Sequence, residues 1–241
     1  MNYVISDIHG NMRHFRSVMK QIDLQQSDTL YVLGDVIDRH PDGLRILRAL
    51  MQMPNTKMLL GNHEFMMLDA LGVPYDGYSP VDADRSMEIW HRNGGDVTHQ
   101  AWKHLRKTTR IEIVDYLNSL PLSFDLEING KEYKLVHGSP IEMSEKGNHH
   151  YRSKEEFAVW HRIHWFDYTE NHLILVFGHT PTWYYDYAEP LQIYISENKI
   201  GIDCGSGFTE DPNDPSVASG RLACLRLEDM REFYSEEMYS F

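Results

Sequence analysis

Residues 2–15 read NYVISDIHGNMRHF, and the architecture follows from where the apolar run stops. Strand-forming residues end abruptly at Asp7, the chain turns through Asp7-Ile8-His9-Gly10, and Asn11 is placed to cap a helix. In that helix Phe15, Val18, Met19 and Ile22 recur at the three- and four-residue spacing of one apolar stripe. The unit is strand, short turn, helix. It repeats with TLYVL (29–33), the turn GDVIDRHPDG (34–43) and a helix to about Met53, and again with KMLL (57–60), GNHE (61–64) and a helix. Strands alternating with helices through short connections predict a largely parallel sheet covered by helices.

Residues 72–107 change character. GVPYDGYSPVDADRS reads as a loop, followed by polar helical segments that carry His and Trp and are interrupted by Asn-Gly-Gly at 93–95; a small helical lid inserted into one domain is the expectation. After a helix near 109–119, PLSFDLEI and KEYKLVHG flank Asn129-Gly130, a strong hairpin signal. LILVFGHT, LQIYISENKIGIDCGSG and RLACLRLED give the second half a β-rich reading, with a long loop from Phe208 to Gly220. The whole, 1–241, reads as a single α/β domain.

Composition narrows the function. Hydrophobic residues make up 41% of the chain, enough for a large core, and there is no apolar run of membrane-spanning length and no secretory pattern at the N-terminus. A cytoplasmic protein is expected. The formal net charge of −13 argues against nucleic acid or an anionic membrane as partner, since both need a basic footprint. Two cysteines, Cys204 and Cys224, make neither a CxxC nor a zinc pattern and read as buried thiols.

Five times, however, a strand-like run ends in a glycine beside metal-capable side chains: VISDIHG, YVLGDVIDR, LLGNHE, KLVHG and VFGHT. Each alone is an ordinary turn. In open α/β sheets ligands collect at the carboxyl ends of strands, so all five can converge on one pocket. Asp7, His9, Asp35, Asn62, His137 and His179 are oxygen and imidazole donors of the type that a pair of divalent ions accepts. With only two carboxylates among them, two such ions keep a charge of about +2, which favours a phosphate substrate.

The motifs, in this order and spacing across most of the chain, resemble the phosphoprotein phosphatase family of calcineurin-like metallophosphoesterases, in particular its small bacterial and phage-type serine/threonine phosphatases. The resemblance implies a four-layer αββα sandwich with two mixed sheets and the site along one edge. It implies Asp7 and His9 as ligands of the first metal, Asp35 as the bridge, and Asn62, His137 and His179 as ligands of the second. His63 resembles the general acid, Asp38 the carboxylate that orients it, and Arg39 a phosphate-binding arginine. For the second such arginine Arg162 in VWHRIHW is the choice, with Arg152 as the fallback. Glu64 reads as a brace for the turn. Two departures, Ser6 and His40 where the family usually has Gly, concern loop shape, and neither supplies a ligand.

Direct hydrolysis of phosphate monoesters by a metal-held hydroxide is therefore expected, with phosphoserine and phosphothreonine in proteins as the lead substrates. Manganese is the expected metal, and iron, zinc and cobalt suit the same donors. Dinucleoside polyphosphate hydrolysis is the alternative; that branch tends to lack the acid matching Asp38 and to carry Asp at the Glu64 position. An inactive phospholigand-binding scaffold is the third reading, and it would ordinarily have lost a ligand. Of the remaining histidines, His149 and His150 read as exposed and the pair His161 and His164 as flanking Arg162 on a helix. TWYYDYAEP (182–190) reads as packing, or as the lining of a substrate groove.

Overall fold

The period-two alternation of the first strand sets the layers. In a computed structural model that describes residues 1–75, 82–146, 150–164, 167, 172–185, 189, 191–196, 198–208 and 219–236, Asn2–Ile5 forms β1. Tyr3 and Ile5 face one way, into a cluster shared with helices, and Val4 faces the other, into the interior of a sandwich. Thr29–Val32 (β2) and Thr56–Met58 (β3) extend β1 in parallel, as the repeated strand-turn-helix unit requires. Chain returning from the C-terminal region adds two antiparallel strands on the other side of β1.

The second sheet starts with the hairpin of Ser123–Ile128 (β4) and Lys131–Val136 (β5). Asn129 and Gly130 both have positive φ, 53° and 72°, the backbone that a tight hairpin turn demands. Leu173–Phe177 (β6) and Lys199–Gly201 (β8) continue parallel to β5, and Tyr194–Ser196 (β7) closes the edge antiparallel to β8. With Ala223–Arg226 (β9) and Arg231–Tyr234 (β10), the two mixed five-stranded sheets run β10-β9-β1-β2-β3 and β4-β5-β6-β8-β7. Each therefore carries three adjacent parallel strands.

Between the sheets Val4, Tyr31, Leu33 and Leu59 meet Tyr133, Leu135, Val176 and Ile200. On the outer face of the first sheet lie Met12–Ile22 (α1), capped by the Asn11 side chain on the His14 N–H, and Gly43–Met51 (α2). Asn62–Ala70 (α3), Ala83–Trp90 (α4), Asp96–Lys103 (α5), Lys107–Asn118 (α6) and Lys154–Trp160 (α7) contribute to the same cluster. The outer face of the second sheet is covered more thinly, by Ile163 and Tyr185 on Val136, Leu175 and Phe177. The expected sandwich of two mixed sheets is what forms.

Two local expectations change. The helix expected around Arg162 stops at Trp160, because His161 turns to extended backbone (φ −70°, ψ 130°). The 208–220 loop lies almost wholly outside the described residues, as does His149; His150 is exposed. Among the described residues no helix is long and apolar enough to cross a membrane. Both cysteines are buried free thiols, as read.

Leu33 is fully buried between the sheets at the end of β2. Leu33→Ala is expected to lower the unfolding free energy by roughly 2–5 kcal/mol. A urea titration reads this as a lower midpoint at unchanged slope; a loss of only a few tenths would mean that the sandwich interior closes over the gap.

Candidate metal centre

The strand ladders continue past the strands into the turns. Asp7 N–H donates to the Gly34 carbonyl, His9 N–H to Asp35, Gly10 N–H to Val36, Gly178 N–H to His137 and Ile202 N–H to Phe177. These bonds fix the turns as rigidly as the sheets. They also force unusual backbone: Asp7, His9, Asp35, Asp38, Arg39 and His179 all have φ between 50° and 71°, and make up six of the ten non-glycine residues in the left-handed region among those described. Such conformations cost energy and persist where surrounding structure over-determines them.

Each of the three predicted histidine ligands has one ring nitrogen against a main-chain carbonyl: His9 Nδ1 on Ile37 (3.2 Å), His137 Nδ1 on Leu33 (2.6 Å) and His179 Nε2 on Trp160 (3.0 Å). A carbonyl only accepts, so each of those nitrogens carries the proton and the other nitrogen of the ring presents a lone pair. Burial first, and nearby cationic groups as well, push the His9 and His179 pKa values well below the usual histidine range, and burial lowers that of His137. These are neutral imidazoles, the form a metal needs.

What their lone pairs face is also electron-rich. His9 Nε2 lies 3.8 Å from Asp7 Oδ1 and 3.7 Å from Asp35 Oδ2, while His137 Nε2 lies 3.4 Å from Asp35 Oδ1 and 2.9 Å from the Asn62 amide oxygen. Acceptors converging on acceptors, all nine-tenths or more buried, make a site suited to a cation. Asp35 turns one oxygen to each half, and burial followed by the neighbouring Asp7 and Glu64 carboxylates holds its pKa well above the usual carboxylate range, although His63 opposes the rise. Donor atoms of Asp35, His137 and His179 lie within 4.8 Å of one another, and so do those of His9, Asp35 and His63. His63 itself is oriented otherwise: its Nδ1 takes the Asp38 carboxylate at 2.7 Å and its Nε2 lies 3.4 Å from the Arg39 guanidinium, a poor neighbour for a second cation.

Around this centre the cavity is lined by Arg39, His63, Asn93, Trp160, Arg162, Tyr184, Asp203 and Phe208. Arg162 enters it with one terminal nitrogen on the His179 carbonyl (3.1 Å); Arg152 instead pairs with Glu156 and Asp69. Of the two arginines weighed, Arg162 is the one that lines the cavity. His161 stacks on Phe157 (4.5 Å between centroids) and His164 is exposed, and neither is among the residues that line the cavity. Ser6 donates to the Asp7 carboxylate, a fixed contact that the usual glycine does not supply. His40 is half-buried with its Nε2 unpartnered and donates its own N–H to the His9 carbonyl.

Two contributions were not read from the sequence. Within 82–107, part of the segment read as a lid insertion, contacts brace the site: Trp90 Nε1–H donates to Asp38 Oδ2 (2.9 Å), Thr98 Oγ accepts the Asp38 N–H (3.0 Å), and the Gly94 carbonyl accepts the Arg39 N–H (2.9 Å). A tryptophan inside a helix looks like core, and nothing in the spelling ties it to Asp38. Tyr184, at 66% exposure, and Phe208 form an aromatic rim, each stacked on a guanidinium: Arg162 over Tyr184 at 5.6 Å and Arg39 over Phe208 at 4.6 Å.

The match to known families agrees with this geometry. A model of the calcineurin-like phosphoesterases matches residues 3–205. This chain belongs to that family. Calcineurin-like phosphoesterases hydrolyse phosphoesters at a dinuclear metal site, and the donor set above fits one. A symmetrical bis(5'-nucleosyl)-tetraphosphatase of Proteus mirabilis (strain HI4320) is 37% identical over 68 residues, 27% of this chain and 25% of the relative. One from Legionella pneumophila (strain Lens) is 35% identical over 99 residues, 37% of this chain and 36% of the relative. The matches thus span about a quarter to a third of those relatives. A protein serine/threonine phosphatase of Saccharomyces cerevisiae has the same fold with a TM-score of 0.60 at 13% identity, covering 99% of this chain and 80% of that one. A metallophosphoesterase from Sphaerobacter thermophilus gives 0.52 at 18% identity, covering 99% and 88%.

Glu64 is fully buried, and its carboxylate accepts the N–H groups of Asp35 (2.8 Å), Val36 (2.8 Å) and Gly61 (3.2 Å), tying the second turn to the third. Each stranded donor costs about 1–3 kcal/mol. Glu64→Ala should therefore lose on the order of 3 kcal/mol or more in chemical denaturation, and Glu64→Gln, with one acceptor left, distinctly less. Equal stability in both variants would show that water replaces the carboxylate.

Proposed function

We propose that this phosphoesterase is a phosphomonoesterase whose lead substrates are phosphoserine and phosphothreonine in proteins, and that manganese is its working metal. Asp7, His9 and Asp35 would hold one divalent ion, and Asp35, Asn62, His137 and His179 the other. Two such ions supply Lewis acidity at the phosphoryl group and a water made acidic near neutral pH.

The protein's own side chains account for the rest of the reaction. Arg39 and Arg162, the cavity's two guanidiniums, grip the nonbridging phosphoryl oxygens through their N–H groups and carry charge that grows as the P–O bond breaks. His63 gives a proton to the leaving oxygen. Two neighbours hold its ring in place for that transfer, since Asp38 on Nδ1 fixes its orientation and Trp90 on the same carboxylate oxygen fixes Asp38. Water is kept from this pair by burial, with His63 1% and Asp38 0% exposed.

The single observation behind the monoesterase reading is the Asp38–His63 pair. An alkyl alkoxide, such as serine or threonine leaves behind, needs protonation; a nucleotide leaving group is already a stable phosphate anion and needs it much less. A buried carboxylate and tryptophan devoted to one imidazole are explained by the first chemistry. The second reading, dinucleoside polyphosphate hydrolysis, draws on the names of the relatives that match part of the chain.

General acid catalysis is worth typically about 10²–10⁴-fold. With manganese present, His63→Asn is expected to lose most of that on a phosphoserine peptide and far less on nitrophenyl phosphate, whose leaving group needs no proton. Equal losses on both remove His63 from the acid role. In the wild type, kcat/KM for the phosphopeptide is expected to exceed that for diadenosine tetraphosphate, and the reverse order would transfer the protein to the second reading.

A further inference from the structure

The parallel strands of the two sheets form two sets of three, and five of the six deliver a residue already assigned to the centre. β1 ends in Asp7 and His9, β2 in Asp35 and β3 in Asn62, while β5 ends in His137 and β6 in His179. The sixth, β8, runs into Ile202 and Asp203. Asp203 is 3% exposed and lines the same cavity as Asp7 and Asp35.

Its setting is built with care. The Asp203 carbonyl accepts the Thr182 N–H (2.9 Å), and one carboxylate oxygen, Oδ1, accepts the Gly205 N–H (2.8 Å). Gly205 has φ +79°, and a Cβ there would lie 2.2 Å from the Trp183 ring, so that turn is held in a form only glycine permits. Two residues on, Gly207 lies flat against His9 and Arg39: a Cβ would fall 2.5 Å from the imidazole and 2.9 Å from Arg39 Cδ. Among the described residues the second carboxylate oxygen, Oδ2, makes no hydrogen bond. That carboxylate lines the same cavity as the Asp7 and Asp35 carboxylates, and like charges gathered there repel one another unless a cation lies among them. Arg39 lines the same cavity, and among the described residues no direct ion pair reaches Asp203.

We infer that Asp203 is a positioning residue of the first half of the centre, the half built on Asp7, His9 and Asp35, where its charge strengthens cation binding and its free oxygen takes hydrogen bonds from the solvent that completes the cation's coordination. The inference rests on the dinuclear reading of the site. It adds a third carboxylate to the centre. Groups that support ligands in this way typically change metal affinity by about 10–100-fold when lost.

Asp203→Asn preserves the acceptor for Gly205 and removes the charge, so a structural and a metal-directed role separate by sign. Chelator-stripped wild type and variant are titrated with Mn²⁺ by calorimetry, and both are melted with and without Mn²⁺. The wild type is expected to bind two ions. In the variant one site weakens by about 10–100-fold while the other holds, the metal-free melting temperature rises because carboxylate repulsion is relieved, and the gain on adding Mn²⁺ shrinks. Asp203→Ser, uncharged and with a hydroxyl in place of the amide, has to show the same selective weakening. Unchanged affinity at both sites overturns the role of Asp203 and leaves the centre intact, as does a metal-free variant that melts lower with unchanged affinity. A wild type that binds no Mn²⁺ overturns the dinuclear reading itself, and Asp203 with it.

Discussion

The turns at the strand ends depend on one buried carboxylate. Glu64 sits in the first turn of α3 and takes main-chain N–H groups from both the second turn and its own, so Asp35 and Asn62 are placed relative to each other before any ligand arrives. A surface glutamate at this position of a helix would contribute only a few tenths of a kcal/mol to the dipole. Buried, and with every accepted N–H otherwise unsatisfied, it determines whether the turns exist. Gly61 shows how tight the arrangement is: a Cβ there would lie 2.3 Å from Asp35 Oδ1.

The same economy of space explains the strained backbone. Bringing side chains from separate strands to within a few ångströms requires each chain segment to reverse almost at once, and left-handed φ at Asp7, His9, Asp35 and His179 achieves that. Asp is among the residues that tolerate this conformation best, and His is also enriched there. The residue types that suit a cation therefore also suit the turn.

This coincidence is why so much was legible in the sequence. VISDIHG, YVLGDVIDR and LLGNHE announce strand, reversal and donor together, and β1, an unbroken apolar run, is buried on both faces as such a run implies. What stayed hidden depends on tertiary context. Trp90 reads as helix core, and only the fold carries α4 past Asp38. Asp203 in IDCGSG looks like any turn aspartate, because only the fold shows that it follows the third parallel strand of the second sheet into the same cavity. Arg162 was singled out, although the helix expected around it does not form: His161 turns away to let its neighbour reach the His179 carbonyl.

Asp7, His9, Asp35 and Asn62 follow strands of one sheet and His137 and His179 follow strands of the other, so the proposed second half of the centre bridges the gap between the sheets. Side-chain volume in the sandwich interior thus acts as a gauge for the chemistry. A methyl group gained or lost at Val176 or Leu59, neither of which lines the cavity, alters the registry of one set of ligands against the other. Distant apolar residues thereby set how closely His137 and His179 approach Asp35 and Asn62.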